Sequence, residues 1–124
     1  MTPKTRAEIE STLVDRAARH HREEHGVAPE EVTVALCGDL AILRAHGVFS
    51  SAERAVLAEE GGRKRVALAR HEHRSLTRDR AHTAIAEVLG CEVLRSFYDL
   101  DARTGELVEV YVMECDLDRR FAPE

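Results

Sequence analysis

The spacing of apolar residues along this chain alternates between a helical and a strand period, with turn residues at the switches. Thr5 stands three residues before Glu8, a capping box that opens a helix predicted from about Arg6 to His25. Ile9, Leu13, Ala17 and His20 share one face of that helix, with Val14 at its flank, so it should cover a sheet. Gly26 closes it as a left-handed C′ residue, and Pro29-Glu30-Glu31 turns into the first strand. Residues 1–4 read as a loose start.

From Val32 to Cys37 the period is two, and Leu40 to Ala45 returns as a second strand. Gly38-Asp39 between them suits a type II′ turn, because glycine takes the positive φ needed at the first loop position. One face of this hairpin should carry Val32, Val34, Leu36, Leu40 and Ile42, the other Ala35, Cys37, Ala41, Leu43 and Ala45. The second set is small but apolar, so it too should be covered, by a helix of this chain or by another subunit. Gly47 breaks the strand, and Ser50 with Glu53 forms a second capping box.

A short helix should follow to about Glu60, interrupted by Gly61-Gly62, and then a long one from Arg63 to Leu89, closed by Gly90. If straight, the long helix would span ~40 Å. A domain of this size is only ~35 Å across, so the helix must kink or project. Its second half, with Ala81, Ala84, Ile85, Val88 and Leu89, has the broader core-facing stripe. A last hairpin pairs Glu92–Tyr98 with Leu107–Glu114 across a loop punctuated by Thr104-Gly105. Val108, Val110 and Val112 should point one way, Leu107, Tyr111 and Met113 the other.

The predicted fold is α+β, in the order α-β-β-α-α-β-β. Two β-hairpins form one mostly antiparallel four-stranded sheet packed by the first and last helices. A length of 124 residues suits a single domain, with its core over about 6–115 and a frayed charged tail over 116–124.

Composition narrows the class. Apolar residues make up 44% and charged residues 33%, which fits a globular chain, and aromatics at 4% leave the core to aliphatic side chains. No apolar run reaches the ~18 residues of a membrane span and no signal-peptide core follows the start, so a cytoplasmic protein is expected. Cys37, Cys91 and Cys115 form no C-x-x-C pair and are expected to be buried reduced thiols. From Arg63 to Arg80 seven basic residues stand against two acidic ones, a surplus of five in a chain of net charge −5, so the remainder carries −10. A basic helix on an acidic body could meet an anionic partner or a second copy of itself.

Several stretches resemble the MpsC-like domain family. They are HHREEHGVAPEEV, GDLAILRAHGVFSSAE, the Gly61-Gly62-Arg63 start of the long helix, and VLGCEVLRSFYDLDARTGELVEVYV. The most specific is G-V-x-S/T-x-A-E, here Gly47 to Glu53, followed by the D-x-x-x-x-T-G-E turn, here Asp99 to Glu106. The resemblance covers roughly Ile9 to Cys115. Ser51 stands where the family commonly has proline, and the histidine-rich patches are not a family feature. The resemblance implies a cytosolic accessory domain rather than an enzyme, associated with a membrane ion- or bicarbonate-transport system. The motif residues Gly38, Asp39, Gly47, Ser50, Glu53, Asp99, Thr104 and Gly105 then have structural roles.

Candidate chemistry is sparse. His21 and His25 are i, i+4 on a helix, but two ligands are too few for a metal ion, and His71 and His73 point about 200° apart. Solvent-exposed histidines are expected, with His20 at the core edge, and neither metal nor cofactor. Asp99, Asp101 and Gly105 resemble a calcium loop only faintly, because no glutamate falls at the twelfth place. Gly61-Gly62 lacks the lysine and serine of a phosphate loop, and Ser50 already has a capping role, so no catalytic residue is assigned. Arg70, Arg74 and Arg78, at i, i+4, i+8, form a stripe that could bind a protein partner. A pI of 5.8 and few aromatics argue against nucleic acid. The expectation is a homodimeric, non-enzymatic accessory domain. The alternative is a ligand- or metal-sensing domain that uses the histidines and the arginine stripe.

Overall fold

A computed structural model describes residues 4–123, so of the loose start expected for residues 1–4 all but Lys4 lies outside them, as does residue 124. The predicted element order is present, with one helix more. Helix α1 (Arg6–His25) leads to strands β1 (Glu31–Cys37) and β2 (Leu40–His46), then α2 (Ser51–Leu57) and α3 (Gly62–Leu89). Strands β3 (Val93–Asp101) and β4 (Glu106–Met113) follow, and then α4 (Leu117–Arg120). The sheet is antiparallel in the order β1-β2-β4-β3, with the hairpins meeting at β2 and β4.

The local signals act where the sequence puts them. Thr5 accepts from the Glu8 amide, and Ser50 and Glu53 exchange both bonds of a capping box. Gly38 has φ +60° while no described non-glycine residue, Asp39 included, has a positive φ, which is the type II′ pattern. That turn also reverses part of the expected face assignment. A two-residue loop places Cys37 opposite Leu40, and directly opposed residues share a face. The inner face therefore carries Val32, Val34 and Leu36 with Ala41, Leu43 and Ala45. The outer face carries Ala35 and Cys37 with Leu40 and Ile42. On the second hairpin Val108, Val110 and Val112 do face away from Leu107, Tyr111 and Met113, and the register sets them on the outer face.

Every buried strand residue in the two apolar clusters is an inner-face residue. One cluster joins Ile9 and Leu13 of α1 to Leu43, Tyr111, Ile85 and Leu89; the other joins Val48, Phe49 and Val66 to Leu100 and Leu107. Helix α3 is continuous for 28 residues, and it crosses from the second cluster at Val66 to the first at Leu89. No described helix covers the outer face.

Two further expectations are corrected. The tail is not frayed over 117–122: Leu117 and Phe121, one helical turn apart, are 1% and 7% exposed in the first cluster. Ala122 bridges Thr5 in a parallel pair. The cysteines are not buried reduced thiols either, since Cys37 is exposed and Cys91 is disulfide-bonded to Cys115. Those two extend the Val93–Met113 register by two residues on each strand, which brings their Cα atoms to 6.2 Å.

Candidate functional site

Along β4 the inner face reads Leu107, Glu109, Tyr111, Met113, so a carboxylate lies between the two apolar clusters. Helix α3 answers it. Between Val66 and Ala81 it presents Arg70 and Arg74 to the interior, and a polar seam runs across the sheet at that level.

Arg70 is 3% exposed. Its Nε and Nη2 donate to the two Glu53 carboxylate oxygens at 2.6 and 2.7 Å, and Nη2 also reaches the Val48 carbonyl at 2.5 Å. The guanidinium lies 5.6 Å from the centre of the Phe49 ring. Val48, Phe49 and Glu53 all belong to the Gly47–Glu53 motif, which thus forms the receptor for one buried arginine. Gly47, at φ +64°, lets the chain turn there, and a side chain at that place would collide with Glu30. Burial raises the Glu53 pKa, but bonds from Arg70 and the Ser50 amide outweigh it and bring it down to about 2.

Next to Arg70 lies His21. Its Nδ1 is 2.6 Å from the Val27 carbonyl, so that nitrogen carries the proton and Nε2 accepts from Arg70 Nη1 at 3.0 Å. Burial, with Arg70 beside it, lowers its pKa although the Val27 bond raises it. The His25 ring stands between those of His21 and His73, with centres 4.7 and 4.8 Å away. Burial first, then Arg70 and the two neighbouring rings, push His25 down to about 3. At the rim Glu24 accepts from Arg80 Nε and Nη2, both at 3.0 Å, and contacts His73 Nε2 at 3.1 Å.

Arg74 pairs with Glu109 and donates from Nη2 to Ser96 Oγ at 3.0 Å and the Tyr111 hydroxyl at 3.3 Å. The Tyr111 hydroxyl donates to Glu109 at 2.6 Å; burial and that carboxylate hold its pKa well above the usual phenol value. His82 Nε2 is 2.7 Å from Ser96 Oγ. This is the separation of a nucleophile–base pair, but among the described residues no carboxylate bonds the other His82 nitrogen, and Arg74 occupies the serine oxygen. Between α1, α3 and the sheet the seam leaves about 50 Å³, room for a few water molecules.

The arginine stripe is therefore not one contact surface. Positions four apart on a helix drift by 40°, so Arg70 is buried, Arg74 largely so, and Arg78 is exposed. The histidines depart from expectation as well: His21 is the buried one, His20 and His25 are half-buried, and only His71 is fully on the surface. No group of three or more His, Cys, Asp or Glu side chains that could hold a metal ion occurs among the described residues. Gly38 and Asp39 fasten the C-terminal segment, for the Leu117 and Met113 amides donate to their carbonyls at 2.7 and 2.8 Å. Thr104 and Gly105 make the second turn, which is shorter than expected because Asp99 and Asp101 lie within β3. Asp99 is exposed on the outer face. Sequence reasoning missed Glu109, Tyr111, Ser96 and His82 as site residues. Glu109 alone left a signal, a carboxylate on the apolar side of a strand.

Comparison with known proteins adds the family. No curated protein and no solved structure matches the chain. The family model described as Na+-translocating membrane potential-generating system (MpsC) matches residues 5–115, so the stretch includes the arginine receptor, the whole sheet and all of α3. The chain belongs to the MpsC family.

Proposed function

We propose that this chain is a non-enzymatic, cytoplasmic accessory module of a Na+-translocating, membrane-potential-generating system. It acts as a homodimer and through contact with a protein of that system. The family supplies the setting. The observation that carries the contact role is the outer face of the sheet. Leu40, Ile42, Val108 and Val110 are only half-buried at its centre, Phe97 is 59% exposed beside them, and no described helix lies over them. Contiguous apolar surface of this kind is the usual mark of a docking site. A polar rim at one end of the face, where Arg44 and His46 meet Glu106, would set the partner's orientation.

The seam supports the same reading. Its two buried arginines are already matched by Glu53 and Glu109, so neither has charge left over for a substrate or an anion. A sensing role through the histidines would need a shared donor set. Thermal shift with zinc or nickel salts separates the two readings: a sensor gains stability, whereas the accessory module does not respond.

The direct test is capture from the solubilised membranes of the native host, using the intact chain and an Ile42→Lys, Val110→Lys variant. The expected result is an ion-transporting membrane subunit retained by the first and lost with the second. Equal retention by both, or retention of no transport subunit, overturns the proposal.

A further inference from the structure

Strand β3 is an edge strand of nine residues, and its outer edge is unlike that of β1. The β1 edge is capped by Arg6, whose Nη1 donates to the Leu36 carbonyl at 3.2 Å. Among the described residues no side chain donates to the backbone of β3 along Leu94–Leu100, whose ladder partner is β4 alone. The ladder shifts register between Val93 and Arg95 and is regular from Arg95 to Asp101, and an open edge of that kind is a template for strand addition unless it is guarded. A groove of about 530 Å³ runs beside it, with His71, Ser75, Arg78 and His82 of α3 as the opposite wall.

The outward residues of β3 are Arg95, Phe97 and Asp99, all exposed. Among the described residues neither charge has an opposite partner. They lie four residues apart on one strand, ~13 Å, and their cross-strand neighbours are Val112 and Val108. Helix α3 repeats the situation at its exposed side, where Glu72, Arg78 and Asp79 enter no ion pair among the described residues.

We infer that a second copy of the chain occupies this edge, with β3 pairing antiparallel to itself about a two-fold axis at Phe97. That axis sets Arg95 opposite the second copy's Asp99 and Asp99 opposite its Arg95, while Phe97 meets its own counterpart. Opposite charges and aromatic pairs are the favourable cross-strand combinations, and one operation supplies both. Ser75 of α3 lies between His71, whose ring is 5.3 Å from that of Tyr98, and His82, which contacts Ser96. The same axis therefore brings the two α3 helices together near Ser75. Run antiparallel about it, Glu72 faces the second copy's Arg78, and His71 faces its Asp79. Both elements are self-complementary about neighbouring points, and the product is one continuous eight-stranded sheet. The pairing specifies the dimer of the proposed function and involves no transport protein, so its failure leaves the membrane partner standing, and the reverse.

Two measurements on the full chain test it. In a Cys37→Ser background, Phe97→Cys places two thiols directly opposite at the axis, within disulfide reach for antiparallel neighbours. Mild oxidation should convert most of the protein to a reductant-sensitive species of twice 13.9 kDa. Thr33→Cys on the far strand should not cross-link. The second measurement is the dimer dissociation constant by light scattering and dilution. Arg95→Asp and Asp99→Arg should each raise it at least tenfold, and the double charge swap should return it to within about threefold of the parent. A monomeric parent, no cross-link at Phe97→Cys, or a double swap no better than the single changes overturns the inference.

Discussion

The inner face of the sheet lies under two helices and yet sets a glutamate against two arginines of α3; the outer face meets no described helix and yet is valine, leucine, isoleucine and phenylalanine at its centre. Burial alone would sort these residues the other way. The difference teaches where each face's partner comes from. The inner charges are matched within the chain, each arginine by a carboxylate, a tyrosine or histidine and a backbone or serine oxygen. At the centre of the outer face Leu40, Ile42, Val108 and Val110 stay half-buried with no helix over them among the described residues, as expected of a surface that completes itself on another molecule.

Changes at matched points should break the inner face most. Arg70→Ala leaves Glu53 with the Ser50 amide alone and takes the Arg70 donor from the Val48 carbonyl, and should cost about 3–5 kcal/mol of unfolding free energy in urea titration. Arg78→Ala, two turns along the same helix but exposed, should change the stability of the single chain by no more than about 0.5 kcal/mol. Equal effects would erase the contrast between them. Glu109→Gln removes the charge opposite Arg74 while keeping the shape, and should cost about 2–3 kcal/mol.

Acidification acts on the same face. His20, His21, His25 and His82 are all held below their unfolded value, so the unfolded chain takes up protons first as the pH falls below about 6.5. Their contribution is complete above that pH and declines as the pH drops toward the folded values, which for His25 is about 3. Glu53, at about 2 in the fold, adds a second loss below about 4.5. The melting temperature should therefore fall steadily from pH 7.5 to 5, and His25→Gln should flatten part of that slope. A rise in stability over the interval would show the histidines to be protonated in the fold. The smallest effect belongs to the outer face: Val110→Thr, at a half-buried position, should change monomer stability by no more than about 1 kcal/mol. A larger loss would mean that the outer valines already support the fold of the single chain.

Much of the scaffold was legible because its signals are local. The capping pairs Thr5/Glu8 and Ser50/Glu53, the left-handed Gly26 and Gly90, and the Gly38 turn each depend on a few adjacent residues. What misled was long-range or rotational. The faces of the first hairpin were exchanged on its second strand because a two-residue turn pairs Cys37 with Leu40, not Leu36 with Leu40. The arginine stripe looked like a surface because α3 passes over the polar seam just where its apolar pattern lapses, and helical spacing alone does not say which side meets the sheet. The disulfide had a signal in the register of the second hairpin, and the buried tail had one in the Leu117/Phe121 spacing, but each needs its neighbouring element placed first.

The bridge between Thr5 and Ala122 is parallel, and that has a consequence for anything attached to the chain. Two segments far apart in sequence hold each other there, since the Arg6 amide donates to the Ala122 carbonyl at 2.9 Å and the Ala122 amide to the Lys4 carbonyl at 3.1 Å. Anything that strains one of these segments, a label included, therefore pulls on the other. A version trimmed at the family boundary, Cys115, would also discard Leu117 and Phe121, two of the plugs that close the larger cluster. The unit to express, label or graft is thus longer than the unit that the family shares.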